Sequence, residues 1–409
     1  MNLTYQQQIA IEKFAHLKVG ALFMKQGTGK TRTALEIAKS TDSSLVLFLV
    51  PNQLKHNMIE QINTWSFNMP YIIETYEGIS QSDNRYLKLL DDIKGHKLMI
   101  IADETVFIKN AESKRYDRII NLRDMSEYRL ILNGTPITKN EWDIYYQMKF
   151  LSDKIIDMSE PQFLQTFFKK IKYKKRGKSP REFYKLSEVN IEYLKKLIEP
   201  YVYEVDLELN IEEVIEYEEV SSSNEVYEEY QIQKEQFLEA VLNGYDDILE
   251  RLVRMQYLMF TDKKRCISIA KTLKGQEIVY CTYLKEVEYI SNNCDCYVIT
   301  GDVPANERAA ILEKFKYDNK PLIMTYGVGS FGHNLQFCNK ITFASIQFDY
   351  AKVDQATYRI KRLGQEREIY YKYFTSDLGI YNLIFDNLTN KEQLHDLIVR
   401  DLEKIKEVV

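Results

Sequence analysis

Apolar residues in the first 150 positions fall in short continuous runs instead of alternating with polar ones. Helical stretches such as Thr31 to Lys39 separate these runs. Strands that are apolar on both faces are typical of a parallel sheet covered by helices on both sides. The N-terminal part is therefore predicted to be an α/β unit, with strands at Ala21–Met24, Leu45–Val50, Leu98–Ala102 and Arg129–Leu132.

The same pattern returns near residue 276, after a long interval, without any internal sequence repeat. Helical stretches again separate the apolar runs, so a second parallel-sheet unit is expected. Its predicted strands are Ile278–Tyr280, Tyr297–Ile299, Leu322–Met324 and Lys340–Phe343. The chain as a whole is predicted to be an α/β protein with two tandem parallel-sheet units.

The middle of the chain, from about 155 to 270, is rich in charge and is predicted to be mostly helical. It contains a basic run, Lys169 to Arg181, and an acidic run, Glu204 to Glu229, both typical of solvated surface. The segment Ser221–Asn224 is predicted to cap a following helix. We place the boundary near 205, which gives a first domain of 1–205, with a protrusion at about 155–205, and a second of 206–409, with a linker and helical segment at about 206–270.

The composition says more about the cellular compartment of the protein than about its function. A net charge of −5 does not by itself indicate nucleic-acid binding, although a groove can be basic on an acidic protein. The five cysteines match neither a zinc pattern nor a disulfide framework, which is typical of reduced thiols in a cytosolic protein. The polar N-terminus and the lack of a long apolar run predict no signal peptide and no membrane span. We therefore expect a cytoplasmic protein.

A glycine-containing loop, Lys25-Gln26-Gly27-Thr28-Gly29-Lys30-Thr31, follows the first apolar run. Glycines allow backbone N–H groups to approach phosphate closely, and the next helix presents its N-terminus to the anion. Lys30 is expected to bind the β- and γ-phosphates and Thr31 to bind Mg²⁺. Met24 stands where the strict pattern has a further glycine. The predicted nucleotide-binding residues are Gly27, Thr28, Gly29, Lys30 and Thr31.

An acidic pair, Asp103 and Glu104, follows another apolar run directly. Asp103 is expected to hold Mg²⁺ through water, and Glu104 to polarise the attacking water as a general base. With the loop upstream, the pair predicts hydrolysis of a bound nucleoside triphosphate.

Further motifs follow in order between residues 3 and 366, and together they resemble the superfamily-two helicases, specifically their Swi/Snf-like branch. The most specific is the string Q-A-x-x-R-x-x-R-x-G-Q at 355–365. The resemblance implies two tandem RecA-like lobes with helical insertions between them, and ATP and Mg²⁺ as cofactors. The other motifs are Leu3-x-Tyr5-Gln6, Val50-Pro51-Asn52-Gln53-Leu54 with Trp65, Thr75-Tyr76-Glu77, Asn133-Gly134-Thr135-Pro136-Ile137 with Trp142, Ile299-Thr300-Gly301 with Arg308 and Phe315, and the segment 329–335.

The resemblance also implies roles for individual residues. Gln6 matches the motif that reads adenine. Gln355, Arg359 and Arg362 match the motif that completes the catalytic site, where arginine stabilises the charge on the transferred γ-phosphoryl group. The two arginines are about one helical turn apart and are predicted to share a helix face. Because they belong to the second unit, hydrolysis is expected to require the two units to close.

The implied partner is nucleic acid, most simply duplex or forked DNA, gripped mainly through its phosphates. The candidate contacts in the motifs are Asn52, Gln53, Lys55, Thr75, Gly329 and Ser330. The basic run contains a second set of candidate DNA contacts, namely Lys172, Lys174, Lys175 and Arg176. These residues are predicted either to add contacts to DNA or to belong to a solvated hairpin.

The chain departs from the branch at two motifs. Thr105 and Val106 follow the acidic pair without the histidine of many relatives, and the segment 345–350 replaces the usual Asp-x-x-Trp-Asn-Pro. The first departure concerns how hydrolysis is coupled to DNA. The short motor and its composition suit a phage or mobile element in a bacterial host, with replication or recombination proteins as partners.

Three functions remain open from sequence. The first is a DNA-dependent ATPase that translocates on duplex DNA in replication, recombination or repair. The second is a strand-separating helicase at forks or recombination intermediates, which would use the same motor. The third is an ATP-switched DNA clamp that recruits a nuclease or replication protein.

Overall fold

The structure is a computed structural model that describes residues 2–105, 113–134, 143–173, 181–187, 189–207, 209, 211–243, 248–329 and 335–389. The chain divides into two compact units, Met1–Glu208 (unit 1) and Leu209–Val409 (unit 2). Among the described residues, no helix combines the length and apolar character that a membrane span requires.

Unit 1 is built on a six-stranded parallel sheet with the strand order β3-β2-β4-β5-β1-β8. Two further strands, β6 and β7, form a separate antiparallel pair. The strands are β1 (Val19–Met24), β2 (Leu45–Val50), β3 (Tyr71–Thr75), β4 (Leu98–Asp103), β5 (Tyr128–Asn133), β6 (Phe168–Tyr173), β7 (Arg181–Leu186) and β8 (Val202–Val205).

Helices cover both faces of this sheet, because each central strand buries apolar side chains on both sides. Alternate residues of β2 belong to different core clusters: Leu45 and Leu47 to one, Val46 and Phe48 to the other. The helices are α1 (Tyr5–Phe14), α2 (Lys30–Ser40), α3 (Lys55–Thr64), α4 (Tyr76–Gln81), α5 (Asp83–Ile93), α6 (Lys114–Asp124), α7 (Asp143–Leu151), α8 (Glu160–Phe167) and α9 (Ile191–Ile198).

Unit 2 contains a second six-stranded parallel sheet, with the order β11-β12-β10-β13-β14-β9. Its strands are β9 (Glu213–Glu219), β10 (Ile278–Cys281), β11 (Tyr297–Ile299), β12 (Leu322–Thr325), β13 (Lys340–Phe343) and β14 (Ile369–Thr375). Its helices are α10 (Asn224–Asn243), α11 (Ile248–Phe260), α12 (Lys263–Thr272), α13 (Leu284–Ser291), α14 (Ala305–Tyr317), α15 (Tyr326–Gly329), α16 (Tyr350–Thr357) and α17 (Ile380–Thr389). Two tandem parallel-sheet units were predicted, and the fold class is confirmed.

The middle segment is less helical than predicted. The basic run supplies β6 and β7, and the acidic run supplies part of β8 and all of β9. β9 is an edge strand with mostly exposed side chains, so it lacks the apolar run that marks a buried strand. Its carboxylates are matched by lysines, since Lys361 contacts Glu213 at 2.6 Å and Lys372 contacts Glu218 at 2.5 Å. The helix cap was predicted correctly, because the Ser223 hydroxyl accepts a hydrogen bond from the backbone of Val226 at 3.3 Å.

Glu286, in the first turn of α13, is a buried carboxyl in the core of unit 2. It accepts hydrogen bonds from the backbone N–H groups of Thr282 (2.9 Å) and Tyr283 (3.0 Å) and from the Ser345 hydroxyl (2.9 Å). Burial outweighs these bonds and raises the pKa of Glu286 to about 7.

This raised pKa predicts that unit 2 loses stability as the pH rises. The folded state binds a proton that the unfolded state releases near pH 4.5, so stability falls from about that pH and the loss is complete above about 7. Glu286→Gln stays neutral and lacks this dependence. Between pH 5 and 8 we expect the free energy of unfolding of the wild type to fall by roughly 2–3 kcal/mol more than that of the variant. Thermal unfolding of both proteins at several pH values measures this difference. If the stability of the two proteins changes with pH in the same way, the raised pKa of Glu286 is contradicted.

Candidate active site

The loop between β1 and α2 has the shape of a phosphate cradle. Gly27 (φ 84°) and Gly29 (φ 81°) both lie in the left-handed region, which favours glycine. Gly29 is the N-cap of α2, so the first N–H groups of that helix face the loop. The loop is fixed at its start by Lys25, whose N–H donates to the Val205 carbonyl of β8 at 3.0 Å. The Thr28 hydroxyl donates to the Lys25 carbonyl at 2.7 Å.

A residue that the sequence did not single out, Gln7 of α1, holds the loop from outside. Its buried side-chain amide donates to the Thr28 carbonyl at 3.0 Å, while its carbonyl oxygen accepts from the N–H of Thr4 at 3.0 Å. The Thr4–Gln7 spacing is a capping box, which was the available signal. The predicted Gln6 is exposed, and its side-chain oxygen accepts from the Tyr203 hydroxyl at 2.6 Å. Its role in reading adenine stays a prediction.

Asp103, the last residue of β4, lies beside the loop lysine. β4 pairs with β5 and β5 pairs with β1, so the carboxyl ends of these strands meet at one edge of the sheet. The Nζ of Lys30 lies 3.9 Å from Oδ1 of Asp103. Burial raises the pKa of Asp103 to about 6; the charge of Lys30 opposes this rise and the charge of Glu104 adds to it.

Glu104 has a left-handed backbone with φ 53°, which is unusual for a residue other than glycine. Its N–H donates to the Leu132 carbonyl of β5 at 2.9 Å and to Oδ1 of Asp103 at 3.0 Å. Such a conformation costs about 1–3 kcal/mol and persists only where the surroundings impose it. The strained residue is the one that the sequence predicted as the general base.

Two buried side chains form hydrogen bonds with the backbone at or next to this acidic pair, and neither contact was predicted. The Tyr76 hydroxyl donates to the Asp103 carbonyl at 2.8 Å. The Asn133 side chain, at the end of β5, accepts from the N–H of Thr105 at 2.9 Å. The next residue, Gly134, approaches the loop so closely that a Cβ there would lie 3.1 Å from Cγ of Gln26.

The groups at this edge fit a nucleoside triphosphate with Mg²⁺. The left-handed glycines and the start of α2 present backbone N–H groups to an anion, and Lys30 adds a cation. The Asp103 carboxylate and the Thr31 hydroxyl are oxygen donors of the kind that Mg²⁺ prefers. Thr31 lies in the first turn of α2 and is half-buried.

The predicted catalytic arginines lie in unit 2, just beyond α16. Their placement on one helix face was wrong, since α16 ends at Thr357 and the chain continues in turns. They are nevertheless close enough to affect each other: burial, with the charge of Arg359 second, lowers the pKa of Arg362 to about 9. The Nε of Arg362 donates to the Tyr358 carbonyl at 2.8 Å, and Arg359 is buried. Gln355 lies within α16 and is half-buried.

The DNA-contact candidates differ in their exposure. Asn52 and Gln53 are exposed in a short 3-10 helix before α3, and the half-buried Lys55 begins α3. The N–H of Asn52 donates to Glu77 at 2.9 Å. Thr75 is buried, and its hydroxyl caps α4 by accepting from the N–H of Gly78 at 3.0 Å.

The remaining candidates are only partly described. Gly329 ends α15, and Lys172 lies in β6 without a described side chain. Ser330, Lys174, Lys175 and Arg176 lie outside the described residues, as do Val106 and most of the third motif, 135–142.

The fold and these groups define a nucleotide-hydrolysing enzyme with two parallel-sheet units. The SNF2-related domain model matches residues 15–282, and the helicase conserved C-terminal domain model matches residues 256–364. The first match covers more than half of the chain, so the chain belongs to the SNF2-related family. It is an ATP-dependent enzyme of the helicase type, as predicted.

Individual relatives are distant. The chain is 22% identical to an uncharacterized ATP-dependent helicase, YqhH, of Bacillus subtilis, over 98% of this chain and 80% of that protein. It is 21% identical to the DNA annealing helicase and endonuclease ZRANB3 of Bos taurus, over 90% of this chain but only 38% of the bovine protein. The SWI2/SNF2 ATPase core of Sulfolobus solfataricus, solved in complex with dsDNA, aligns over 100% of this chain and 95% of that one, with 19% identity and a TM-score of 0.43.

The crowded contact at Gly29 predicts that a methyl group there damages nucleotide binding. A Cβ would lie 2.2 Å from Nε2 of Gln7, in addition to the strain of a positive φ. We expect Gly29→Ala to weaken the binding of a fluorescent ATP analogue at least about tenfold.

Gly95→Ala is the matched control, because Gly95 has the same φ of 81° with nothing within 4 Å of the added Cβ. It should cost about 1–2 kcal/mol of stability and leave ATP binding intact. Equal ATP affinity in the two variants would contradict this account of the loop.

Proposed function

We propose that this protein is a DNA-dependent ATPase that translocates on duplex DNA. The observation that carries the proposal is the meeting of Lys30, Asp103 and the strained Glu104 at one edge of the unit 1 sheet. Membership of the SNF2-related family supports DNA as the track, and so does the name of the bovine relative, a DNA annealing helicase.

In this proposal, each group of the site has one task. The backbone N–H groups around Gly27 to Gly29 and the ammonium of Lys30 bind the phosphates, and Gln6 contacts the adenine. Glu104 accepts a proton from the attacking water. When bound through Thr31 and Asp103, Mg²⁺ neutralises charge on the β- and γ-phosphates.

Arg359 and Arg362 are proposed to stabilise charge on the γ-phosphoryl group, with Gln355 assisting them. The proposal requires these residues to reach the nucleotide that unit 1 binds at some stage of the catalytic cycle. Repeated approach and separation would then convert hydrolysis into movement along DNA.

DNA is proposed to lie against Asn52, Gln53 and Lys55, which are at least partly exposed beside the carboxyl edge of the unit 1 sheet, and against Gly329 and Ser330 in unit 2. Thr75 would contribute mainly by shaping α4, because its hydroxyl is already used as the cap. Such contacts are to phosphate and carry no sequence information.

A strand-separating helicase remains the second candidate, because it would use the same motor. The name of the bovine relative joins annealing helicase with endonuclease, and we propose that only the motor part is shared. We further propose that the enzyme works in the cytoplasm of a bacterial host as a phage- or mobile-element-encoded motor, alongside replication or recombination proteins.

Removing the catalytic groups tests the motor directly. We expect Lys30→Ala and Glu104→Gln to remove nearly all DNA-stimulated ATP hydrolysis while leaving the fold intact, as judged by the circular dichroism spectrum of the protein. The first variant lacks the cation at the phosphates and the second lacks the general base. ATPase rates are measured with duplex, forked and single-stranded DNA and with RNA side by side.

These rates, together with an unwinding assay on a forked substrate, separate the candidate functions. Stimulation of ATP hydrolysis by duplex DNA supports the translocase, and unwinding of the forked substrate favours the helicase. Wild-type turnover that does not rise with added duplex DNA would contradict the DNA-dependent motor. Hydrolysis near zero with every nucleic acid would favour the clamp.

The basic run gives a separate prediction about DNA affinity. Replacing Lys172, Lys174, Lys175 and Arg176 with Gln should make the negative slope of log K against log[salt] shallower, by roughly one for each DNA phosphate that these side chains neutralise. DNA binding is measured by fluorescence anisotropy over a range of salt concentrations.

A matched control changes four lysines of unit 1 that lie directly before β1 or β4, on α5 or directly after it: Lys18, Lys97, Lys88 and Lys94. Both variants change the net charge equally, but only the first should change the salt slope. If the slope of the first variant equals that of the wild type, the run is a solvated hairpin.

A further inference from the structure

The strained backbone of Glu104 is held on both sides. The peptide group that precedes it is fixed because the N–H of Glu104 donates to the Leu132 carbonyl at 2.9 Å. The peptide group that follows it is fixed because the N–H of Thr105 donates to Oδ1 of Asn133 at 2.9 Å. The first bond constrains φ of Glu104 and the second constrains ψ, so the two together impose the left-handed conformation.

The second bond differs from the first because it depends on a side chain. A backbone carbonyl is present whatever the residue, whereas the acceptor for Thr105 requires an amide at position 133. Asn133 is fully buried at the end of a strand whose preceding residues, Leu130 to Leu132, are buried and apolar. A buried polar side chain is costly unless it is hydrogen-bonded, so its presence there calls for partners.

Asn133 uses both ends of its amide. While Oδ1 accepts from Thr105, Nδ2 donates to the Thr105 hydroxyl at 2.7 Å and to Oε1 of Gln147 in α7 at 2.8 Å. All three bonds are buried. The donor bonds fix the orientation of the amide, so Oδ1 is held towards the N–H of Thr105. The network therefore joins the end of β5, the residue after Glu104 and α7.

We propose that Asn133 is a positioning residue for ATP hydrolysis, which acts through the N–H of Thr105 to hold Glu104 where it can accept the proton of the attacking water. The inference rests on the proposed role of Glu104 as general base. It assigns a role to a fully buried residue whose side chain is hydrogen-bonded to Thr105 and Gln147, and it gives a cause for the strained backbone of Glu104.

The first test separates turnover from binding. In Asn133→Ala, Glu104 keeps its carboxylate but loses the constraint on ψ, so kcat should fall by about tenfold to 100-fold. The phosphate loop and Lys30 are untouched, so KM for ATP and the affinity for a fluorescent ATP analogue should stay within about twofold of the wild type. An unchanged kcat would overturn the proposal, and so would a rise in KM alone.

Two further variants remove one donor bond each and keep the bond to the Thr105 N–H. Thr105→Val removes the hydroxyl acceptor, and Gln147→Met removes the amide acceptor in α7. Each leaves one partner to orient Asn133, so both should retain more turnover than Asn133→Ala. If Thr105→Val lowers kcat as much as Asn133→Ala, the hydroxyl bond matters instead of the backbone one, and the proposal fails.

A stability control excludes a general effect of loosening unit 1. Ile119→Ala removes buried apolar atoms from α6 in the same unit, outside the proposed catalytic machinery. It should lower the melting temperature at least as much as Asn133→Ala while leaving kcat near that of the wild type. A loss of kcat that follows melting temperature across both variants would show that Asn133 is merely structural.

The decisive test combines Asn133→Ala with Glu104→Gln. If Asn133 acts through Glu104, the double variant has the same residual turnover as Glu104→Gln alone, measured at high enzyme concentration. An equal loss from Asn133→Ala in both backgrounds would show an independent effect and overturn the inference. Failure of the proposed function has a different signature, because Glu104→Gln by itself would then retain wild-type turnover.

Discussion

The register between β1, β5 and β4 is the constraint on which the candidate site depends. Phe23 of β1 lies opposite Asn133 of β5, and Leu132 of β5 lies opposite Asp103 of β4. Because all three strands are parallel, they end at the same edge of the sheet. The phosphate loop, the acidic pair and Asn133 therefore meet without any long loop having to bring them together.

At the strand ends, the same arrangement buries polar side chains, which costs stability but supplies the groups of the candidate site. The bodies of these strands are apolar and buried, but Asp103 and Asn133 are polar and almost as deeply buried. Burial is also what raises the pKa of Asp103. Buried polar groups keep their geometry because each has a fixed hydrogen-bond or ion-pair partner. Water-exposed groups would lack such fixed partners. A rigid apolar sheet is thus the support for a small polar cluster.

The central strands could be predicted from sequence because burial on both faces leaves a continuous apolar run. β9 could not, since an edge strand with exposed faces tolerates the charged sequence that otherwise indicates a solvated surface. The loop residues were identifiable because phosphate binding demands glycine and lysine at fixed spacing. The role of Gln7 was not predicted, because the sequence does not distinguish it from its neighbour Gln6. Only the structure of α1 shows that the Gln7 side chain points inward and the Gln6 side chain outward.

The sequence by itself determined the class of enzyme, since the order and spacing of its motifs are properties of the chain. Only the tertiary structure decided which side chains share a contact, because residues such as Asn133 and Thr105 are brought together by strand pairing. It also decided the backbone of Glu104, whose left-handed conformation no local preference favours. Conformation at such a position is imposed by hydrogen bonds from a neighbouring strand, and these do not exist until the sheet has formed.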